Sequence, residues 1–240
     1  MRLAPVAVLA LAALALAGCE TTQEESARLE KVAHAKKVAK RKEELRVTTA
    51  SRTLKVLAAS VVHSSEGSAV VIAVANSGRA QREAPLQFSI AQGGSSPVTN
   101  TGPGLSHSLT SLAYVPAHGT AVWVDDQVTL GGSPGAVTVK LGEGSPLPGA
   151  PPQVTLGTHR LEQEGAGESL SGTVTNDSAI EQHELVVYAV AKRGTRTVAA
   201  GRAVISALAP HSSANYQAFL LGAPTHGARL ALSAPPTTFG

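Results

Sequence analysis

The sequence is poor in aromatic residues and has a single cysteine among its 240 residues. Aromatics make up only 3% of the chain, which leaves few rings for stacking on nucleic-acid bases. One cysteine forms no disulfide within the chain, so burial of apolar surface must hold each domain together. Glycine and proline are common, with 23 and 14 residues, and favour short strands and turns over long helices. Composition therefore predicts an all-β fold.

The net charge of +3 is confined to the start of the chain. Residues 51–150 carry five basic and five acidic side chains, and residues 151–240 carry six of each. Neither region has the excess of lysine and arginine that nucleic-acid binding requires, so no nucleic-acid partner is expected.

The N-terminus has the pattern of a signal peptide. Arg2 precedes an apolar run that ends at Leu16-Ala17-Gly18-Cys19, and the run is too short to span a membrane stably. The last four residues resemble the lipobox of bacterial lipoproteins. The resemblance implies removal of residues 1–18, attachment of acyl chains such as palmitate at Cys19, and an extracytoplasmic location at the cell membrane. The alternative is a buried apolar helix with a chance cysteine.

Residues 19–50 are expected to form a short charged helix. Residues 24–46 contain no glycine or proline and are rich in Ala, Glu, Lys and Arg, which favour helix. Two interpretations stay open. The helix is either a solvated stalk of about 30 Å, or a contact with anionic lipid headgroups through its basic side chains. These are Lys36, Lys37, Lys40, Arg41 and Lys42.

From residue 54 onward, short alternating runs recur between turn residues, as in a β-sandwich. The second half repeats the first at an offset of 100 residues. Asn76 corresponds to Asn176, and each suits a turn because asparagine tolerates positive φ and caps its own backbone. His118 and His211 follow as a second matched pair. The matched core positions are Val70, Ile72 and Val74 with Leu170, Gly172 and Val174, and Leu86, Phe88 and Ile90 with Val186, Tyr188 and Val190.

This repeat predicts two tandem sandwich domains, at 51–143 and 153–240, joined by a Pro/Gly-rich linker at 144–152. Gly172–Asn176, Tyr188, Gly194–Gly201 and Leu208-Ala-Pro210 ahead of Asn215–Phe219 resemble the FxLYD-type, immunoglobulin-like domain of bacterial surface proteins. The whole chain resembles a group of bacterial, actinobacterial-looking lipoproteins with two such domains. The resemblance implies two tandem immunoglobulin-like sandwiches behind a signal peptide and a charged helix, with no catalytic residues.

The stretch Ala121–Gly135 concentrates several residues that could act as catalytic groups. Its Gly131-Gly-Ser-Pro-Gly135 matches a nucleophile elbow, but Pro134 lacks the N–H that an oxyanion hole needs, so we expect a turn into a strand. On a regular strand, Asp125 and Asp126 point to opposite faces unless a bulge intervenes. Asp126 would then follow Val122 and Val124 onto the core face.

Trp123 would lie on the other face of this strand, half exposed. Two interpretations of it stay open: a ring covered by a loop or by the second domain, or an interface anchor.

No metal or cofactor is expected. The histidines are scattered, the chain after residue 18 has no methionine, and Asp125 with Asp126 supplies too few oxygens for calcium. We therefore expect a non-enzymatic binding or scaffolding protein whose partners are the membrane and other envelope proteins. One alternative is a hydrolase in which a serine, His118 and Asp125 converge in space. The other is a solute-binding lipoprotein with a deep pocket between the domains.

Overall fold

A computed structural model describes residues 47–164 and 167–240 of the chain. The all-β prediction is confirmed: this part contains fourteen strands, one 3-10 helix at His107–Leu109 and no α-helix. The predicted signal peptide, Cys19 and the basic residues from Lys36 to Lys42 lie outside the described residues.

The strands divide between two halves, which we name the N-terminal repeat (Leu54–Pro146) and the C-terminal repeat (Val154–Gly240). The N-terminal repeat contains β1 Leu54–Ser64, β2 Gly67–Asn76, β3 Gln81–Gln92, β4 Ser95–Thr99, β5 Ser111–Val115, β6 Thr120–Val128, β7 Pro134–Leu141 and β8 Ser145–Pro146. The C-terminal repeat contains β9 Val154–Glu164, β10 Gly167–Asn176, β11 Gln182–Arg193, β12 Arg196–Leu208, β13 Ser213–Gly222 and β14 Arg229–Ser233.

All strand pairs are antiparallel, and the two repeats share a pattern of pairing. In the N-terminal repeat β1-β2-β6 form one sheet, while β3 pairs with β4, β5, β7 and β8. In the C-terminal repeat β9-β10-β13 correspond to β1-β2-β6, and β14-β11-β12 continue the same sheet through a short β12–β13 pairing. Strand β8 lies inside the predicted linker 144–152 and pairs with β3.

Asn76 and Asn176 make equivalent hydrogen bonds in the two repeats. Each is buried and accepts a hydrogen bond from the backbone N–H two residues on, of Gly78 at 2.9 Å and of Ser178 at 3.1 Å. Each amide also donates to one carbonyl in its own turn and to one in the loop that precedes β6 or β13. The predicted backbone capping is confirmed. The expected positive φ falls instead on His118 and His211, at 49° and 51°.

A second matched pair corrects the predicted alignment of β3 with β11. The buried amides of Gln81 and Gln182 each hold the segment that ends their repeat, at Gly144 and at Thr237. The next strained positions, Glu83 and Glu184, have φ of 54° and 49°. The two members of each pair are 101 residues apart, whereas Asn76 and Asn176 are 100 apart. The C-terminal repeat therefore has one extra residue after Asn176.

The predicted match of Leu86, Phe88 and Ile90 with Val186, Tyr188 and Val190 is therefore wrong by one residue, and a one-residue shift exchanges the faces of a strand. The side chains that correspond to the first set are Val187, Ala189 and Ala191, and these face the core of the C-terminal repeat.

Val186, Tyr188 and Val190 face the other way and complete the core of the N-terminal repeat, joined by Ala200. Strands β12 and β13 lie against β1, β2 and β6, and both repeats belong to one compact unit. Because β11 is covered on both faces, every residue from Leu185 to Ala191 is buried. Side chains of one repeat are thus core residues of the other.

Candidate functional site

The clearest polar contact between the repeats is an ion pair between Asp126 on β6 and Arg202 on β12. The Arg202 side chain is 4% exposed, and its Nε donates to Asp126 Oδ1 at 3.0 Å. The Arg202 backbone N–H donates to Asp126 Oδ2 at 3.1 Å, so both carboxylate oxygens are used. Arg202 Nη1 also reaches the Ser108 hydroxyl at 3.2 Å. A charged pair this well buried and hydrogen-bonded fixes the relative position of the strands that carry it.

A β-bulge explains how two adjacent aspartates fit at the end of β6. The β2–β6 register shifts between Ser68 and Val70, opposite Val128 and Asp125, so β6 carries one extra residue there. Asp125 is buried and accepts a hydrogen bond from the Gln127 N–H at 2.9 Å. Burial raises the pKa of Asp125, and Arg202 and the Gln127 hydrogen bond offset that rise only in part. Asp126 does share a face with Val122 and Val124, but that face meets the C-terminal repeat.

Trp123 lies on the opposite face, inside the core of the N-terminal repeat. Its ring is fully buried, 5.9 Å from the ring of Phe88, and its Nε1 donates to the Ser108 carbonyl at 2.8 Å. The predicted half exposure is wrong, because β1-β2-β6 is covered on both faces. A ring with 0% exposure has no surface to offer a partner outside the chain.

A cavity of about 210 Å³ opens beside this contact, between the repeats. The Tyr188 side chain lies at its wall, and burial raises the pKa of that phenol far above its usual range. The alternative of a solute-binding lipoprotein predicts a deep pocket between the domains. This cavity lies between the repeats, and at about 210 Å³ it is smaller than the roughly 300–1,000 Å³ typical of ligand pockets.

The residues suggested for a hydrolase do not converge. His118 precedes β6, and Asp125 lies about 17 Å along the strand from its first residue, Thr120, at 3.3 Å per residue. The Gly131–Gly135 stretch is a turn whose Pro134 begins β7, and Gly131 N–H donates to Gln92 Oε1 at 2.7 Å. The predicted turn into a strand is confirmed.

The outer face of β9-β10-β13 is open to solvent, and we call it the open face. Its side chains are mostly polar, and Phe219 stands among them with 57% of its surface exposed. A shallow depression of about 660 Å³ lies on this face, lined by residues that include Arg160, Thr173 and Gln217. Phe219 is thus more than half exposed among residues 47–164 and 167–240, whereas the face of β1-β2-β6 that carries Val122 and Val124 is covered by the C-terminal repeat.

No group of three or more His, Cys, Asp or Glu side chains able to hold a metal ion occurs in the part of the chain that the structure describes. In the same residues, no helix has the length and apolar character needed to cross a bilayer. A scan against models of known protein families found no match, and neither did a search of curated proteins.

Proposed function

We propose that the protein is an extracytoplasmic lipoprotein, anchored at the cell membrane through acylated Cys19, whose two repeats are immunoglobulin-like, FxLYD-type domains. The pair serves as a non-enzymatic binding or scaffolding module at the cell envelope. The all-β fold, the two repeated hydrogen-bond networks and the lipobox-like sequence Leu16–Cys19 support the proposal.

The observation that carries the binding role is the open face. The chain has three phenylalanines, and one of them, Phe219, stands 57% exposed on a broad, otherwise polar sheet. Aromatic side chains surrounded by polar groups are enriched at protein interfaces, where the ring supplies apolar contact and the rim supplies hydrogen bonds. The shared core and the Asp126–Arg202 pair present this face on one body rather than on a loosely tethered domain.

The partner surface is tested by photocrosslinking in native membranes. A photoreactive residue replaces Phe219, and the matched control replaces Leu57 on β1, which is 59% exposed. We expect a discrete crosslinked envelope protein from position 219 and none from position 57. Equal patterns from both positions would contradict the open face as the contact surface.

Anchoring is tested separately with Cys19→Ala. We expect the variant to leave the membrane fraction, because no other segment is assigned to anchoring. A variant that still partitions with membranes like the unaltered chain would overturn the lipoprotein proposal.

A further inference from the structure

The cavity between the repeats is built from three separate parts of the chain. The N-terminal repeat supplies one wall, from β3, the 3-10 helix and β5, and β11 supplies the facing wall. The third wall is the C-terminal segment after β14, in which Thr237 and Thr238 are held by the buried Gln182 amide. Phe239 extends this segment onto the N-terminal repeat, where its ring lies 5.9 Å from the Arg82 guanidinium. The cavity therefore exists only when both repeats and the C-terminus are in place.

The interior of the cavity is predominantly apolar. Ala113 on β5, Val186 and Tyr188 on β11, and Pro235 give it methyl groups and a ring. An apolar wall favours a ligand with an apolar body, because water in contact with it has few hydrogen-bond partners.

The charges at the cavity are of one sign. Glu83 and Glu184 occupy equivalent positions in the two repeats, and the packing brings both to this one cavity. Both side chains are exposed, and no lysine or arginine lines the cavity. His107 and His183 add ring nitrogens that accept hydrogen bonds when neutral. The adjacent Arg202 is already paired with Asp126. An anionic ligand would therefore meet two like charges, and a cationic ligand two opposite ones.

We propose that this cavity binds a small organic amine, with its ammonium group beside Glu83 and Glu184 and its apolar body against Val186 and Tyr188. A volume of about 210 Å³ accommodates a ligand the size of benzylamine. The inference goes beyond the proposed anchoring and scaffolding role, because it uses neither Cys19 nor the open face.

Trp123 provides the measurement. It is the only tryptophan, and its Nε1 donates to the carbonyl of Ser108, which lines the cavity. A ligand that contacts Ser108 changes the polarity around this hydrogen bond, so we expect the fluorescence of Trp123 to change on binding.

The experiment titrates the full chain, in mild detergent near neutral pH, with benzylamine, benzyl alcohol and phenylacetate. These three probes share a ring and differ in charge. Equilibrium dialysis measures the same binding without the tryptophan, and detergent alone is the blank. We expect saturable binding of benzylamine, binding of benzyl alcohol about fivefold weaker, and phenylacetate weaker still. Failure of benzylamine to bind in dialysis, or binding of phenylacetate equal to it, would overturn the proposal.

Substitutions in the cavity distinguish the contribution of the glutamate charges to binding from that of the cavity's size. Glu83→Gln and Glu184→Gln are each expected to weaken benzylamine about two- to fivefold, as for exposed charge pairs, and to leave benzyl alcohol unchanged. Glu181→Gln is the control, because Glu181 is exposed and does not line the cavity. Ala113→Leu fills the cavity and should abolish binding of both probes, with circular dichroism confirming the fold. Unchanged benzylamine affinity in the Glu83/Glu184 double variant would contradict the assigned site. None of these outcomes bears on the crosslinking or Cys19 experiments, so the two proposals fail separately.

Discussion

The two repeats share their internal networks and differ in the faces they turn outward. In β2 and β6 of the N-terminal repeat, the positions on the side away from its own core are apolar. In β10 and β13 of the C-terminal repeat, the same positions are polar. The pairs are Val71 with Ser171, Ala73 with Thr173, Val122 with Asn215 and Val124 with Gln217.

This difference decides which face is covered. The C-terminal repeat packs on the apolar face of β1-β2-β6, and the polar face of β9-β10-β13 stays open. The contact is between unlike faces, since β12 of one repeat meets β2 and β6 of the other. Contacts between unlike faces extend into longer arrays unless the end faces are polar. The polar open face therefore lacks the apolar surface on which the C-terminal repeat packs.

The largest expected loss of stability comes from placing a polar side chain of the open face at the equivalent position of the covered face of β1-β2-β6. Val124 is fully buried, and Val124→Gln replaces it with the residue at the equivalent position, Gln217. The amide would be buried without a partner, so we expect a loss of about 4 kcal/mol in the free energy of unfolding. Urea denaturation measures it. The reverse change, Gln217→Val, should alter stability by less than about 1 kcal/mol. Similar losses for both would refute the distinction between the faces.

The second largest loss of stability is expected from removing one partner of the buried ion pair. Arg202→Ala leaves Asp126 charged and only 19% exposed, so we expect a loss of about 3 kcal/mol. Asp126→Ala in the same background should cost little more, because the two residues act as a unit. A double-mutant cycle from urea denaturation gives the coupling, expected at about 2 kcal/mol. Additive single effects would show that the pair does not hold the repeats together.

The matched asparagines test the similarity of the repeats. Asn76→Ala and Asn176→Ala each leave partly buried backbone carbonyls without their donor, and we expect a loss of about 2 kcal/mol for either change. Thermal and urea unfolding should show similar losses of stability for the two variants. A difference greater than about 1 kcal/mol would mean that the networks, although alike in geometry, do not carry the same energy.

The smallest effect concerns Asp125, which corresponds to Ala218 in the C-terminal repeat. Burial raises its folded-state pKa, so the folded protein binds its proton more tightly than the unfolded chain does. The stability contributed by this group is therefore fully present below the unfolded-state pKa and is lost as pH rises from there through the raised folded-state pKa. Asp125→Asn keeps the acceptor for Gln127 and should raise stability near neutral pH by up to about 1 kcal/mol. Urea midpoints across the acid range check whether the variant also loses this pH dependence.

Much of the fold follows from local patterns. The alternation of Val70, Ile72 and Val74 predicted a strand, and Asn76 and Asn176 predicted capped turns, because both depend on near neighbours in sequence. The alignment of β11 failed because a single inserted residue after Asn176 leaves the composition unchanged while exchanging the two faces.

The contact between the repeats was harder to predict, although two signals existed. The unbroken run Leu185–Ala191 is typical of a strand buried on both faces, and so are the apolar positions between Val70, Ile72 and Val74. The Asp126–Arg202 pair joins residues 76 apart, and the cavity needs both repeats and the C-terminus. Such contacts depend on how the repeats pack, which no local pattern specifies.

Hydrogen exchange tests the central claim, that the two repeats share one core, most directly. Amide exchange of the full chain is followed by mass spectrometry at increasing urea, comparing β2 (Gly67–Asn76) with β11 (Gln182–Arg193). Because β11 completes the core that contains β2, the most protected amides of both strands should open in one cooperative step with the same free energy. Opening of β11 at lower urea, with β2 still protected, would contradict the shared core.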